Sequence, residues 1–161
     1  MTVESGELSI REMKPGEGGE VIGLVEETFG RTSVPAAVEA RFGAINGRSW
    51  REVMGDVARG CLDECDVVLV GEVGGRPVAM ATLDYNRKYS RGHVGLLAVA
   101  EDHQGRGIGR EMVRAALSRM RDDRLRYAAI ETLSKNERAA RLYESEGFEE
   151  VGRQIQYFQV L

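Results

Sequence analysis

Residues 104–110 read Gln-Gly-Arg-Gly-Ile-Gly-Arg and lie between a predicted strand, His93–Val99, and an amphipathic helix that has Ile108 on its apolar face. A helix N-terminus leaves backbone N–H groups without partners and carries a partial positive charge. Glycines there remove side chains that would keep a phosphate away, and Arg106 and Arg110 can add charge-assisted hydrogen bonds. The stretch therefore predicts an anion cradle, although a plain strand-to-helix turn would use the same glycines.

Two well-known phosphate loops fit this stretch poorly. A Walker loop ends in Gly-Lys-Ser/Thr, whereas the chain has Gly-Arg-Glu at residues 109–111. A dinucleotide fingerprint needs a glycine where Arg110 stands, although Glu131 has the spacing of a ribose contact. Only about 50 residues follow the loop, too few for the repeated βαβ units of that fold. A dinucleotide-binding enzyme is therefore the least favoured of the hypotheses.

The hydrophobic pattern around the loop alternates between strand and helix periodicity. The predicted elements, in order, are strand Glu7–Met13, helix Val21–Phe29, a helical region Pro35–Glu64 with breaks near Gly43 and Gly47, a hairpin of Val67–Val73 and Pro77–Tyr85 turning at Gly74–Gly75, strand His93–Val99, a helix over residues 108–120, strand Tyr127–Leu133, a helix capped by Asn136 and stopped by Gly147, and strand Gln154–Val160. This order predicts a mixed α/β (α+β) sheet, formed as a single domain over residues 1–161.

Composition sets the outer limits. The chain has 161 residues, of which 22 are basic and 26 acidic, so that the net charge is −4. A hydrophobic fraction of 42% is enough for a core, and the length predicts one domain. The 20 glycines are an excess that predicts tight turns or close approach of the backbone to a ligand. Because basic residues are mixed among acidic ones, we expect no nucleic-acid partner.

The lack of a recognisable targeting pattern and the use of cysteine predict a cytoplasmic protein. No apolar run approaches the length of a membrane span, and Met1–Met13 lacks the basic-then-apolar pattern of a signal peptide. We therefore expect no membrane partner. Cys61 and Cys65 are predicted to be reduced thiols, and no metal site is predicted, because no second Cys/His pair accompanies them.

Two motifs together resemble the signature of the GNAT superfamily of acyl-CoA-dependent N-acetyltransferases. The first is Leu-Ala-Val at residues 97–99 followed by the glycine loop, and the second is the set Asn136, Ala140, Leu142, Tyr143, Gly147 and Phe148. The resemblance covers nearly the whole chain and is strongest over Val94–Phe148. Glu101 departs from it, since many members have proline there, which affects loop stiffness more than the cradle. The resemblance implies a mostly antiparallel central sheet of about six or seven strands with helices on both faces.

The resemblance also implies that acetyl-CoA is the cofactor. The residues that it assigns to cofactor binding are Leu97, Ala98, Val99, Gln104, Gly105, Arg106, Gly107, Ile108, Gly109, Arg110 and Asn136. Leu97 and Val99 would pair with the pantetheine arm through main-chain hydrogen bonds, and the Val99 N–H would polarise the thioester carbonyl. Asn136 can act as a helix N-cap, as a cofactor contact, or as both.

Two catalytic residues follow from the same resemblance. Tyr143 matches the tyrosine that protonates the departing CoA thiolate, although its position on a helix face also suits ordinary packing. His93 occupies a strand position where several members carry the base that deprotonates the amine through water. An imidazole can do this work, but a surface histidine is an equal alternative, and Glu131 is a second candidate base.

The sequence thus predicts an enzyme that transfers an acetyl group from acetyl-CoA to a primary amine of a small molecule, a peptide or a protein N-terminus. The alternative is a non-catalytic acyl-CoA-binding or sensor domain. The presence of Tyr143, the predicted proton donor, favours the enzyme over this alternative. Neither the amine acceptor nor the use of other acyl groups can be predicted, because such specificity lies in loops without a decisive motif. A homodimer is compatible with the resemblance.

Overall fold

The computed structural model describes residues 6–161, so the start of Met1–Met13 lies outside the described residues. The elements are β1 (Leu8–Glu12), α1 (Gly18–Thr28), α2 (Val34–Phe42), α3 (Trp50–Glu64), β2 (Val67–Val73), β3 (Arg76–Asn86), β4 (Arg91–Val99), α4 (Ile108–Asp122), β5 (Tyr127–Ile130) and α5 (Glu137–Ser145). Short 3-10 turns occur at Gly30–Thr32, Arg87–Tyr89 and Glu101–His103.

The five strands form one mixed sheet in the order β1-β2-β3-β4-β5. The first four strands are antiparallel, and β5 runs parallel to β4. Gly74 and Gly75 turn the β2–β3 hairpin with φ of 60° and 79°, the positive values that a tight two-residue hairpin turn requires. The expectation of a mostly antiparallel mixed sheet is therefore confirmed.

Helices cover both faces of this sheet, as predicted. Helix α4 packs on one face, where Met112, Ala116 and Met120 join one cluster of buried side chains with residues of the strands. Helices α1 and α3 pack on the other face, where Val25 and Met54 join a second cluster. The chain thus has two apolar layers, and β4 lies between them.

The number of strands is lower than the six or seven expected. Residues 154–160 do not form a strand, and β5 ends at Ile130 rather than at Leu133. A strand is stabilised by hydrogen bonds to a neighbouring strand. Among the described residues, 149–161 form no main-chain hydrogen bond, and all of them are exposed. The prediction of a strand over Gln154–Val160 is therefore wrong, because the segment has no partner strand among residues 6–161.

The poorly periodic region of residues 35–64 separates into two helices at the predicted breaks. Helix α2 has Ser33 as its N-cap, and its side chain accepts from the Ala36 N–H. Helix α3 begins with a capping box of Ser49 and Glu52. None of the helices within residues 6–161 combines the length and the apolar composition that a membrane span requires.

Candidate active site

Strand β4 contains a bulge next to the middle of β3. Ala81 lies opposite Leu97, while Leu83 lies opposite Val94, so β4 has one more residue than β3 in this interval. A bulge of this kind bends the strand and changes the side to which the side chains point. Val94 accordingly packs in the α4 layer and Leu96 in the α1–α3 layer. The Leu96 N–H donates to the hydroxyl oxygen of buried Thr82 at 2.9 Å, which holds the bulge in place.

Beyond the bulge, β4 and β5 diverge. Their pairing ends at Val94 and Ile130. The Ala100 N–H donates to the Val78 oxygen of β3 at 2.8 Å. Because hydrogen bonding alternates along an antiparallel strand, the main-chain groups of Leu97 and Val99 point away from β3 and into the gap. This gap therefore offers one edge of a strand to an extended ligand.

The N-terminus of α4 adjoins the same end of β4. Gly107 is its N-cap with a φ of 82°, and no side chain of the described residues caps the helix. Its first main-chain bond runs from the Glu111 N–H to the Gly107 oxygen, so the N–H groups of residues 108–110 have no partner in the helix. A Cβ on Gly107 would meet no protein atom within 4 Å. The space in front of these N–H groups is thus open, which fits a phosphate group.

Arg138, which the sequence analysis missed, lies beside the glycine loop of residues 104–110. Nη1 of Arg138 lies 3.5 Å from Oε1 of Gln104, and Nη2 lies 3.9 Å from the Cβ position of Gly105. The other end of the Gln104 amide, Nε2, donates to the Val99 oxygen at 3.0 Å. Arg138 therefore brings a positive charge to the glycine loop from α5. Its place, two residues after the predicted N-cap Asn136, was the signal that could have indicated this role.

Arg106 and Arg110, which were predicted to add hydrogen bonds at the glycine loop, differ in their contacts. Arg106 is exposed on the loop. Arg110 is directed to α5, where Nη2 donates to the hydroxyl oxygen of Ser145 at 3.3 Å and Nε lies 3.4 Å from Oε1 of Glu146. Arg114 also donates to Glu146, at 2.9 Å. These contacts join α4 to α5 and so position the helix that carries Tyr143.

Helix α5 holds Tyr143 in a mostly apolar setting. The Asn136 side chain accepts from the Ala139 N–H at 3.2 Å, which confirms the predicted N-cap. Tyr143 packs edge-to-face on Phe148 with ring centroids 6.1 Å apart. Burial raises the pKa of Tyr143 to about 12, because a phenolate loses its hydration there. The side chain consequently keeps its proton at neutral pH, as a proton donor must.

His93 lies between two carboxylates at the last paired stretch of β4 and β5. Its Nδ1 is 3.6 Å from Oδ2 of Asp84, and its Nε2 is 3.6 Å from Oε2 of Glu131. Both distances exceed that of a good hydrogen bond, and Nε2 is buried without a hydrogen-bond partner among the described residues. A half-buried imidazole whose nitrogens make no hydrogen bond to the described residues is suited to accept or pass on a proton.

A groove of about 410 Å³ lies in front of His93. Besides His93, its lining includes the carboxylates of Glu64, Asp66, Asp84 and Glu131 and the guanidinium of Arg91. Four carboxylates against one arginine make the groove acidic. Asp66 also has a structural role, since its Oδ2 accepts from the Tyr85 N–H at 2.6 Å.

The predicted cofactor residues of β4 and the glycine loop thus lie at one place and His93 at another, while Asn136 lies at the start of α5. Residues 97–99 and 104–110 meet at the end of β4 and the start of α4, whereas His93 lies at the paired end of β4. The sequence analysis missed Thr82 and Asp84. Their signal was available, because they are polar residues at alternate positions directly after the apolar residues 78–81 of β3.

Comparison with protein families gives one match that covers most of the chain. The model described as "Acetyltransferase (GNAT) family" matches residues 36–148. A curated relative, N-alpha-acetyltransferase 30 of Saccharomyces cerevisiae, is 34% identical over 68 residues, which are 42% of this chain and 39% of that protein. The chain therefore spans about two fifths of the length of this relative.

Comparison with solved structures shows the same fold. The ribosomal-protein-S18-alanine N-acetyltransferase from Escherichia coli superposes with a TM-score of 0.68 at 16% identity, over 91% of this chain and 80% of that one. A GNAT family acetyltransferase from Brucella melitensis, solved in complex with acetyl-CoA, superposes with a TM-score of 0.63 at 18% identity, over 94% of this chain and 92% of that one.

Proposed function

The chain belongs to the acetyltransferase (GNAT) family, and from this premise we propose that it transfers the acetyl group of acetyl-CoA to a primary amine by direct attack. One observation carries the proposal: the gap between β4 and β5 opens beside the uncapped N-terminus of α4. The pantetheine arm of acetyl-CoA is extended and fits the gap between the strands, and the pyrophosphate at its end carries the negative charge that the helix N-terminus attracts. The acetyl-CoA complex of the Brucella melitensis protein supports the same ligand.

Different residues of the chain would bind different parts of acetyl-CoA. The N–H groups of residues 108–110 would hold the pyrophosphate, with Arg138 and Arg106 adding positive charge at the loop. The main-chain groups of Leu97 and Val99 would pair with the amides of the pantetheine arm. When bound, acetyl-CoA supplies an acetyl group that is activated as a thioester.

Transfer to a protonated amine requires a base that takes protons from the nitrogen and an acid that protonates the departing sulfur. A protonated amine must lose a proton before it can attack, since free α-amines have a pKa of about 7.7–8.0 and lysine about 10.4. We assign this step to His93, directly or through a water molecule, and keep Glu131 as the alternative base. Tyr143 would give its proton to the CoA sulfur as the carbon–sulfur bond breaks. The nitrogen loses one proton to the base before it attacks and a second as the amide forms. One of these is released to solvent and the other replaces the proton that Tyr143 gave to the CoA sulfur, so the carbon–nitrogen bond forms and the carbon–sulfur bond breaks with the protons in balance.

The acceptor is an amine of a small molecule, a peptide or a protein N-terminus. The acidic groove in front of His93 supports a cationic acceptor, because its carboxylates attract positive charge. The names of the yeast and Escherichia coli proteins, which describe N-alpha and ribosomal-protein acetylation, support a protein N-terminus within this set. We also propose a cytoplasmic location and a single domain over residues 1–161. The free thiols of Cys61 and Cys65 suit a reducing compartment.

The proposed reaction is tested by measuring thiol release from acetyl-CoA with a panel of amines and N-terminal peptides. We expect turnover with at least one cationic amine. Binding of CoA without turnover on any acceptor would instead indicate an acyl-CoA sensor. Thermal stabilisation by NAD but not by CoA would contradict the assignment of the glycine loop.

We expect Gly107→Val to raise the Kd of CoA at least about tenfold. Valine at a positive φ costs roughly 1–2 kcal/mol, and its side chain would enter the open space beside the N-cap of α4. Titration calorimetry with CoA measures the effect. The matched control is Gly16→Val, because Gly16 also has a positive φ, 91°, and open space around it, but lies far along the chain from the loop. The control should lower the melting temperature similarly and leave the Kd unchanged; an unchanged Kd in Gly107→Val would contradict the cradle.

A further inference from the structure

One end of the sheet gathers positive charge, although the chain as a whole has a net charge of −4. The turn between β3 and β4 meets the start of β5 there, because the N–H groups of Arg126 and Tyr127 both donate to the Ser90 oxygen, at 2.9 and 3.0 Å. The exposed side chains at this end form what we call the basic surface: Arg87, Lys88, Tyr89, Arg91, Arg126 and Tyr127. Its two segments are distant in sequence, so only the folded chain brings these charges together.

The cations of the basic surface have no counter-charges of their own. Within residues 6–161, none of its four cations forms an ion pair, whereas Arg11, Arg114 and Arg119 each contact two carboxylates. Like charges that lie close together repel one another. A partner that brings negative charge would remove this repulsion.

Two exposed tyrosines accompany the cations. Nζ of Lys88 lies 5.4 Å from the ring centroid of Tyr89, and Cζ of Arg126 lies 5.6 Å from that of Tyr127. The tyrosines are 62% and 59% exposed, respectively. Tyrosine and arginine are both enriched at protein interfaces relative to the rest of the surface. The composition of the basic surface is therefore that of a binding surface for an acidic partner.

The basic surface adjoins the acidic groove in front of His93. Arg91 belongs to both, because it lines the groove together with Asn86. Arg91 and His93 are two residues apart on β4, so their side chains lie on the same face of the strand, roughly 7 Å apart along it. The charge thus changes from negative around His93 to positive at the turn between β3 and β4.

This change of sign distinguishes between possible ligands. A small cationic amine would fill the groove and leave the basic surface unused. A nucleic acid on the basic surface would be repelled by the carboxylates of Asp84 and Glu131 in the adjoining groove. A polypeptide that has a positive N-terminus and acidic residues shortly after it is complementary to both regions.

The spacing along the sheet sets where those acidic residues would lie. An extended chain advances about 3.3 Å per residue. If its first nitrogen lies beside His93, its third residue passes Arg91, and about two or three more residues reach the turn that carries Arg87 and Lys88. The charges of the chain therefore match those of a peptide with acidic residues at about positions three to six.

We propose that the acceptor is a polypeptide N-terminus followed by such an acidic stretch, which binds Arg91, Arg87 and Lys88. The proposal rests on the proposed acetyl transfer, because it places the reacting amine beside His93. The basic surface is remote from the thioester, so it contributes to substrate binding and not to the chemical step. Its contribution should consequently appear in KM and not in kcat.

The first test measures thiol release from acetyl-CoA by the wild-type protein with three pairs of peptides. The pairs begin with alanine, serine or methionine, and the members of a pair differ only in residues three to six, which are all glutamate or all glutamine. We expect the glutamate member to have a KM at least about tenfold lower, by a factor that shrinks as salt is raised. Equal KM values overturn the proposal, as does turnover of small amines without turnover of any peptide.

The second test measures binding without turnover. The probe is the glutamate peptide with its N-terminus already acetylated and a fluorophore at its C-terminus, and its anisotropy is recorded in the presence of CoA. We expect an Arg87→Glu/Lys88→Glu double variant to raise the Kd at least about tenfold, with an unchanged circular dichroism spectrum. Arg41→Glu/Arg141→Glu is the matched control, because it changes the net charge equally at exposed arginines of α2 and α5; its Kd should equal that of the wild type.

The outcomes of the two tests separate the surface from the chemistry. Failure of the wild type to bind the acetylated glutamate peptide, or equal Kd values in wild type and Arg87→Glu/Lys88→Glu, overturns the proposal. Tighter binding of an oligouridylate than of this peptide would assign the surface to nucleic acid and also overturns it. Binding of the peptide at the basic surface without turnover of any amine would support the surface and contradict acetyl transfer itself.

Discussion

The Tyr143→Phe variant should show a kcat at least about tenfold below that of the wild type, with nearly unchanged binding of acetyl-CoA. The change removes one oxygen and keeps the ring that packs edge-to-face on Phe148, so the fold of α5 is retained. What is lost is the proton donor to the CoA sulfur, and general acid catalysis typically contributes about 10²–10⁴-fold. Steady-state thiol release and calorimetric titration with CoA measure the two quantities.

The pH dependence sharpens this experiment. The raised pKa of Tyr143, about 12, keeps the phenol protonated through the neutral and mildly alkaline range. The donor is therefore present throughout that range, and the ratio of wild-type to variant kcat should not change with pH there. Tyr89→Phe is the matched control, because Tyr89 is 62% exposed in the turn after β3; its kcat should equal that of the wild type. If Tyr143→Phe also keeps the wild-type kcat, Tyr143 has only a packing role.

The His93→Gln variant is expected to lower kcat/KM by about 100-fold near neutral pH, within the range of general base catalysis. The base must be deprotonated to accept a proton, so its contribution to kcat/KM appears as pH rises. Glutamine has a similar size and polarity between Asp84 and Glu131 but takes up no proton. The part of the rise in kcat/KM with pH that is due to deprotonation of the base should disappear in this variant. Any rise in kcat/KM that persists is due to deprotonation of the amine substrate.

Two further variants decide between the candidate bases. His103→Gln is the matched control, because His103 is the other histidine of the chain and its Nδ1 contacts Asp102 in the turn after β4. That variant should keep the wild-type profile. If His93→Gln keeps the limb and Glu131→Gln loses it, then the base is Glu131, and His93 only lines the groove.

The glycine loop and the N-cap of α5 could be predicted because their signals are local. An uncapped helix start depends on the residues just before it, and residues 104–110 contain the glycines that leave it open. Likewise, Asn136 caps the helix that directly follows it. Such features depend on a few neighbouring residues, so one sequence is enough to identify them.

The bulge of β4 could not be predicted, because it depends on the register between two strands. Its effect is to turn Val94 and Leu96 to opposite faces of the sheet, and Thr82 of β3 holds it. Arg138 reaches the loop only because α5 packs beside α4. Both arrangements result from contacts between residues that are distant in sequence, which no local pattern contains.

The sequence alone determined the order of strands and helices, the glycine loop and the two family motifs, because propensity, capping and turn chemistry act over a few residues. The tertiary structure decided how many strands the sheet contains. Residues 154–160 are rich in side chains that favour strands, but a strand is stable only against a neighbour, and the segment forms no main-chain hydrogen bond to β5. Pairing is a property of two segments and their distance in space, so it was the folded chain, and not the pattern of residues 154–160, that left one edge of the sheet open.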